Sequence, residues 1–192
     1  MRIAVYSGSF NPLHIGHLAV MRSLTSKDGP LGGRRFDWVY LVVSPKNPLK
    51  DSVSADSGEE RFKAAVEAVG RHRELKVKVD DIELGMSLPN YTVKTLDKLR
   101  EREPENEFTL VIGADNLACI RHWKDYGRIL SEYGVAVYPR TGFDLEKIRN
   151  GLMEESDGTF KIEIIDAPFV DISSSEIRQA KASGQDLSAW LM

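Results

Sequence analysis

Six short runs rich in Val, Ile, Leu and Tyr alternate with amphipathic segments along the whole chain: Ile3–Ser7, Trp38–Ser44, Leu75–Ile82, Phe108–Gly113, Val135–Tyr138 and Phe160–Ile165. Several are apolar on both faces, the pattern of strands whose sheet is covered by helices on both sides. The intervening spacing predicts helices over Ile15–Leu24, Glu59–Val69, Thr92–Arg102, Trp123–Ser131, Leu145–Met153 and Ser173–Ala182. Such alternation predicts an α/β fold: a Rossmann-like, open, mostly parallel sheet with helices on both faces. Ligands of such sheets bind outside the carboxyl ends of the strands, so the loops that follow strands carry the interest.

The 192 residues contain no internal repeat and no linker rich in Pro or Ser, which predicts a single domain over 1–192. Lys plus Arg number 26 against 29 Asp plus Glu, so no basic excess draws the surface to nucleic acid. Any anion must be bound locally. One cysteine, Cys119, makes neither an intrachain disulfide nor a thiolate metal site and points to a reducing, cytoplasmic setting. The first apolar run breaks at Ser7-Gly8-Ser9, short of a signal-peptide core and of the roughly 20 residues that span a bilayer, so no membrane association is expected. Two polar stretches, Asp28–Arg35 and Pro45–Gly58, read as loops, the second long enough for a lid.

The first strand runs into Gly8-Ser9-Phe10-Asn11-Pro12-Leu13-His14-Ile15-Gly16-His17, and a helix pattern begins at once. The amides of a first helical turn lack internal partners and sit at the positive end of the helix dipole, a place suited to phosphate. Gly8 offers conformational freedom, Ser9 an amide and a hydroxyl, and Gly16 a close approach to the backbone. His14 and His17, three apart, fall on one side of the turn. Capping or packing would account for a single histidine there, but two around a glycine favour an anion site. A zinc pair lacks a third ligand at familiar spacing, and neither the dinucleotide Gly-x-Gly-x-x-Gly nor the P-loop Gly-Lys-Ser/Thr occurs in this turn.

Gly8 to His17 resembles the Gly-x-Phe-x-Pro-x-His-x-Gly-His signature of the nucleotidyltransferase superfamily of adenylyl and cytidylyl transferases. The resemblance implies that His17 stabilises the transition state at the α-phosphate of ATP, that His14 holds nucleotide phosphates, and that Gly8, Ser9, Phe10 and Gly16 complete this part of the ATP site. A phosphate nucleophile is already anionic, so positioning and charge stabilisation suffice without a strong base. Near the C-terminus, Ser173 and Glu176 fit a capping box, which explains those two residues by itself. Ser174, Ser175 and Arg178 add hydroxyls and a guanidinium to a second helix start, and Ile-Ser-Ser-Ser-x-Ile-Arg resembles the ATP-phosphate signature of the same superfamily. That implies ATP contacts from Ser173, Ser174, Ser175 and Arg178, with about residues 173–192 completing the ATP site.

Between these motifs, Ser87-Leu88-Pro89-Asn90-Tyr91-Thr92, Ile112-Gly113-Ala114-Asp115 and Trp123 resemble the Ser-Tyr-Thr, Ile-Gly-Ala-Asp and Trp elements of bacterial nicotinate-nucleotide adenylyltransferases. An indole face suits a flat electron-poor pyridine, although Trp123 equally suits core packing, and Asp115 suits ribose hydroxyls or a helix cap. Gly113 and Asp115 would join the ATP site, while Tyr91, Thr92, Asp115 and Trp123 would hold the acceptor. Pro45-Lys46-Asn47-Pro48-Leu49-Lys50 resembles the family's basic loop, implying acceptor contacts from Lys46, Asn47 and Lys50; Leu49 stands where the family has His, and Asn11 where many relatives have Asp.

The resemblance therefore implies adenylyl transfer from ATP to nicotinate mononucleotide, giving deamido-NAD and pyrophosphate, with Mg²⁺ carried on the ATP phosphates and no metal site of the protein's own. A sister enzyme using nicotinamide mononucleotide or phosphopantetheine, or an inactive nucleotide-binding module, would share the phosphate motifs. The sequence sets no oligomeric state and leaves a homo-oligomer open.

Overall fold

In the computed structural model, which describes residues 1–26, 35–45, 57–168, 170 and 172–192, β1 (Arg2–Gly8) lies at the middle of a six-stranded sheet. Its neighbours are β2 (Trp38–Val43) and β4 (Glu107–Gly113); beyond them lie β3 (Val77–Asp80) on one side and β5 (Val135–Tyr138) and β6 (Ile162–Ile164) on the other. Every pairing is parallel, with Tyr6 beside Leu41 and Val111, and Gly8 beside Val43. The order 3-2-1-4-5-6 reverses direction between β1 and β4, which opens a crevice at the carboxyl ends of those two strands.

Successive side chains divide between two cores. Ala4 and Tyr6 of β1, Val39 and Leu41 of β2 and Val111 of β4 face α1 (Ile15–Thr25) and α2 (Gly58–Gly70) through Leu18, Met21, Leu24 and Ala65. Ile3, Val5, Val42, Leu110 and Ile112 face the other way, onto Val93, Leu96 and Leu99 of α3 (Thr92–Arg102) and Leu152 of α6 (Leu145–Glu155). Period-2 strands thus meet period-3.6 helices on each side, and the central strands carry apolar residues on both faces. Leu41 and Leu96 are fully buried; truncating either to Ala would cost about 2–5 kcal/mol.

The expected elements are found with shifted ends and one substantial correction. β3 is four residues, not the eight of Leu75–Ile82: the Leu75 N–H turns back to the His72 carbonyl, and the Ile82 N–H bonds Asp80 Oδ1 at 3.1 Å. No single helix covers Trp123–Ser131. A 3₁₀ turn at Ile120–His122 precedes Trp123, Asp125 takes a left-handed φ of 53°, and a short helix, α5 (Tyr126–Arg128), passes into a π-turn over Ile129–Tyr133. The apolar spacing arose because Ile129, Leu130 and Tyr133 are all buried, not because the helix is continuous. A five-residue helix, α4 (Ala114–Ala118), follows β4 unforeseen. The loop expected over Asp28–Arg35 lies outside the described residues except for Arg35, and most of Pro45–Gly58 does so too. No described helix is long and apolar enough to cross a membrane.

Candidate active site

The loop after β1 places its two histidines in contact. Gly8 is not in the left-handed region; its missing Cβ makes room for the Phe10 ring, which a Cβ would meet at 3.1 Å. Phe10 itself takes the left-handed turn, φ 44°, and is held there by edge contacts to Tyr6 and to His17, at 5.4 and 5.2 Å between ring centroids. His14 is the N-cap of α1 and only 5% exposed. The rings of His14 and His17 stack at 3.7 Å with 32° between planes. Gly16 makes this possible, since a Cβ there would stand 3.0 Å from the His14 ring.

Both imidazoles are held neutral. Burial, reinforced by the Arg140 guanidinium, lowers the His14 pKa to about 4, with Glu176 pulling weakly the other way. Burial also pushes His17 well below the usual histidine value, and His14 and Arg140 add to it. The His14 N–H donates to His17 Nδ1 at 3.2 Å. With Nδ1 accepting, the proton of neutral His17 belongs on Nε2, which makes that nitrogen a donor.

The second motif is joined to the first by hydrogen bonds. Ser173 caps α7 (Ser174–Ala182) in a reciprocal box with Glu176, so its hydroxyl is engaged in the cap. Ser174 Oγ donates to the Pro12 carbonyl at 3.0 Å. The exposed Arg178 donates to the Asn11 carbonyl at 2.7 Å and to Ser175 Oγ at 3.0 Å. Two helix N-termini, those of α1 and α7, therefore share one loop, and both present dipole and amides to an anion there.

A pocket between them is lined by His14, Gly16, His17, Tyr138, Arg140 and Ile172, with Tyr6 at its floor. Arg140 is a member that no sequence motif announced. It follows β5, stands over the Tyr138 ring at 5.4 Å, and its buried Nε has no hydrogen-bond partner, the Asp115 carboxylate lying 3.8 Å away. Asp115 is exposed and is the second residue of α4, whose N-cap is Gly113; a Cβ on Gly113 would collide with the Asp115 carboxylate.

Arg61 was also not foreseen. It reads as an ordinary helix charge, yet it is 4% exposed and donates to the carbonyls of Ser9, Ser44 and Pro45 at 2.7, 2.7 and 2.8 Å, tying the loops after β1 and β2 together. At the end of the chain, Leu191 forms an antiparallel bridge with His14, and the Met192 N–H approaches the Leu13 carbonyl at 3.4 Å.

Of the expected acceptor residues, Tyr91, Thr92 and Trp123 are not among those lining this pocket, while Asp115 stands next to its Arg140. Tyr91 is the N-cap of α3 and Thr92 its first residue; Tyr91 and Trp123, both partly buried, pack on the core on the α3 side of the sheet. Trp123 closes the 3₁₀ turn in extended conformation, and its buried Nε1 has no hydrogen-bond partner. Lys46, Asn47 and Lys50 lie outside the described residues.

The cytidylyltransferase-like family model matches residues 5–180. A protein of Bacteroides fragilis described as a probable nicotinate-nucleotide adenylyltransferase is 36% identical over 193 residues, spanning 99% of this chain and 87% of that relative. A Flavobacterium psychrophilum protein of the same description is 38% identical over 179 residues, spanning 93% and 86%. In fold, the chain is similar to the Plasmodium falciparum nicotinic acid mononucleotide adenylyltransferase complexed with NaAD, with a TM-score of 0.76 at 20% identity over 98% of this chain and 87% of that one.

Proposed function

The chain belongs to the cytidylyltransferase-like family, and from that premise we propose that it is a nicotinate-nucleotide adenylyltransferase, transferring the adenylyl group of ATP to nicotinate mononucleotide. An oxygen of the acceptor's 5′-phosphate attacks the α-phosphorus; the bond from that phosphorus to the oxygen bridging to the β-phosphate breaks, and deamido-NAD and pyrophosphate result. The observation that carries the reading is the stacked pair His14–His17 on a loop shared by the N-termini of α1 and α7.

Each group has a task set by its chemistry. His17, neutral with its proton on Nε2, donates to the α-phosphate as charge gathers on its oxygens, a preorganised donor that needs no proton transfer. His14 and the amides of α1 hold the phosphate chain, and the α7 start with Ser174, Ser175 and Arg178 takes its β- and γ-groups. Arg140, with one buried N–H uncommitted, adds positive charge to the same pocket. Gly8, Ser9, Phe10 and Gly16 shape the loop, and Gly113 and Asp115 lie at the β4 end of the crevice, where a carboxylate accepts from ribose hydroxyls. Mg²⁺ enters as part of the substrate, bound to the triphosphate. On the α3 side, Tyr91 and Thr92 offer a helix start to the acceptor's carboxylate and Trp123 an indole face to its ring; Lys46, Asn47 and Lys50, outside the described residues, keep the acceptor contacts that the family resemblance implies. The free thiol of Cys119 accords with a reducing, cytoplasmic setting.

Pyrophosphate release from ATP, measured with nicotinate mononucleotide, nicotinamide mononucleotide and phosphopantetheine in turn, tests the reading. Turnover with the first above the other two is the expected result, and turnover with phosphopantetheine alone overturns it.

A further inference from the structure

Two carboxylates are buried among the described residues, and they are treated in opposite ways. Asp80, 3% exposed, is gripped by Arg102 at 2.6 Å and faces Lys78 at 3.3 Å. Glu83, 4% exposed in the turn after β3, has no cationic partner among the described residues. Its Oε1 accepts from Thr95 Oγ1 of α3 at 2.9 Å and from Ser7 Oγ of β1 at 3.2 Å, and Ser7 Oγ lies 3.1 Å from Ser44 Oγ at the end of β2. The Glu83 carbonyl accepts from Asn90 Nδ2 at 2.9 Å. Asn90, 6% exposed and directly before the α3 cap, leaves its Oδ1 without a partner. A buried carboxylate is costly unless an opposite charge offsets it, and two hydroxyls supply only part of that compensation. Among the described residues the cluster is thus rich in acceptors and has no cation bonded to its carboxylate, the nearby Arg61 being engaged by backbone carbonyls; it lies between the carboxyl ends of β1 and β2 and the start of α3.

We propose that Glu83 is a specificity-determining residue of the acceptor site, supplying the negative charge that complements the cationic, N-glycosylated pyridinium ring of the acceptor nucleotide. The inference rests on the function proposed above. An N-glycosylated pyridinium carries a charge that no deprotonation removes and has no N–H to donate, so it is recognised only by ring stacking and by a nearby anionic field. The acceptor carries negative charge at its carboxylate and phosphate and positive charge on the ring, and the α3 side of the crevice offers the reverse arrangement: a helix start at Thr92 and a buried carboxylate at Glu83. Reduction of the ring to the 1,4-dihydro form removes the cation and leaves the carboxylate, the sugar and the phosphate unchanged. Glu83 therefore favours the oxidised acceptor over the reduced one.

The test compares wild type, Glu83→Gln and Glu83→Asp with nicotinate mononucleotide and its 1,4-dihydro form at saturating ATP. Glu83→Gln, which keeps the shape and removes the charge, should lower kcat/KM for the oxidised nucleotide about tenfold and for the reduced one by less than about threefold, with KM for ATP unchanged. Glu83→Asp, which keeps the charge, should retain the oxidised-over-reduced ratio within about threefold; with wild type it decides the matter should the glutamine variant not fold, since a wild type that prefers the reduced acceptor, or an aspartate variant that loses the ratio, overturns the proposal. Equal losses for both acceptors in Glu83→Gln would make the residue structural and overturn the proposal while leaving the enzymatic reading intact. A wild type inactive on the oxidised nucleotide would overturn both.

Discussion

The backbone N–H of His14 donates to Nδ1 of His17 across 3.2 Å while the two rings stack at 3.7 Å, so the first histidine sets the tautomer of the second. Nε2–H is then the free end of the His17 ring, in a setting that holds it neutral. His17→Ala should lower kcat by about 10²–10³, the range for losing one preorganised donor at a developing charge, with KM for ATP changed far less. His17→Asn, which keeps an N–H, should recover part of that loss. Because His17 titrates well below the usual histidine value, kcat should show no histidine break between about pH 6 and 8. Steady-state rates across that range check both statements, and a His17→Ala enzyme turning over like wild type would sink the mechanism.

The same burial makes the fold sensitive to acid. The His14 pKa is about 4 in the folded chain against 6.5 in the unfolded one, so between these values the unfolded chain binds more protons. The neutral site is fully stable above pH 6.5 and loses stability as pH falls through that window toward 4. Since the pocket admits solvent, the His14 share should be about 1–2 kcal/mol rather than the whole shift. Urea denaturation at pH 7 and pH 4.5 should show wild type losing that much more than His14→Asn; an equal loss would place the acid sensitivity elsewhere.

Arg178 donates to the Asn11 carbonyl of the loop after β1 and to Ser175 Oγ one turn back on its own helix, which orients the guanidinium before any nucleotide arrives. Arg178→Lys replaces the planar fork by a point charge and should raise KM for ATP about tenfold, with KM for the acceptor changed less than about twofold. Matched losses for both substrates would indicate a role in folding alone.

Arg61 is the corresponding brace on the other side. Its guanidinium satisfies three carbonyls from two loops, and one ammonium cannot reach all three. Arg61→Lys should destabilise the fold by about 2–3 kcal/mol and lower kcat as the loops after β1 and β2 lose their common anchor. Denaturation midpoints together with kcat measure the two effects; a variant as stable as wild type would show that water replaces the guanidinium without loss.

What could be read from the sequence was what depends on neighbours along the chain. The strand runs, the extent of α3 and the capping box at Ser173 depend on periodicity and on residues three apart, and their ends moved by a few residues at most, except at β3, where the Asp80 side chain takes the Ile82 N–H. What escaped depends on residues distant in sequence. Arg61 and Arg140 look like solvated charges until the fold sets three carbonyls around one and the histidine pair beside the other. Glu83 falls between Leu75–Ile82 and Ser87–Thr92 and shows its setting only through the hydroxyls the fold brings to it, from Thr95 and from Ser7, 76 positions away. The break at Asp125 was hidden because a left-handed residue and a π-turn preserve the buried spacing of a helix while interrupting the helix itself.

The acceptor side yields the most demanding test. Trp123 is partly buried, extended in backbone, and carries an indole N–H without a partner, while Thr92 opens α3 with the unpaired amides of a first turn. If the indole face stacks on the pyridine and the α3 start takes the carboxylate, Trp123→Ala should raise KM for nicotinate and nicotinamide mononucleotides alike, since stacking is indifferent to the substituent. A change at Thr92 that blocks or removes donors should instead erode the preference for acid over amide, which should be at least about tenfold in wild type because one charge-assisted hydrogen bond contributes roughly 1.5–3 kcal/mol. The indole also packs on the core of the α3 side, so Trp123→Ala should lower stability as well, and Trp123→Phe separates the effects by keeping most of the packing and part of the stacking. Assays of both nucleotides at saturating ATP, with melting temperatures alongside, decide it: a Trp123→Ala enzyme with reduced stability but unaltered acceptor KM would confine the tryptophan to the core, and equal use of acid and amide by wild type would remove the carboxylate role from the α3 start.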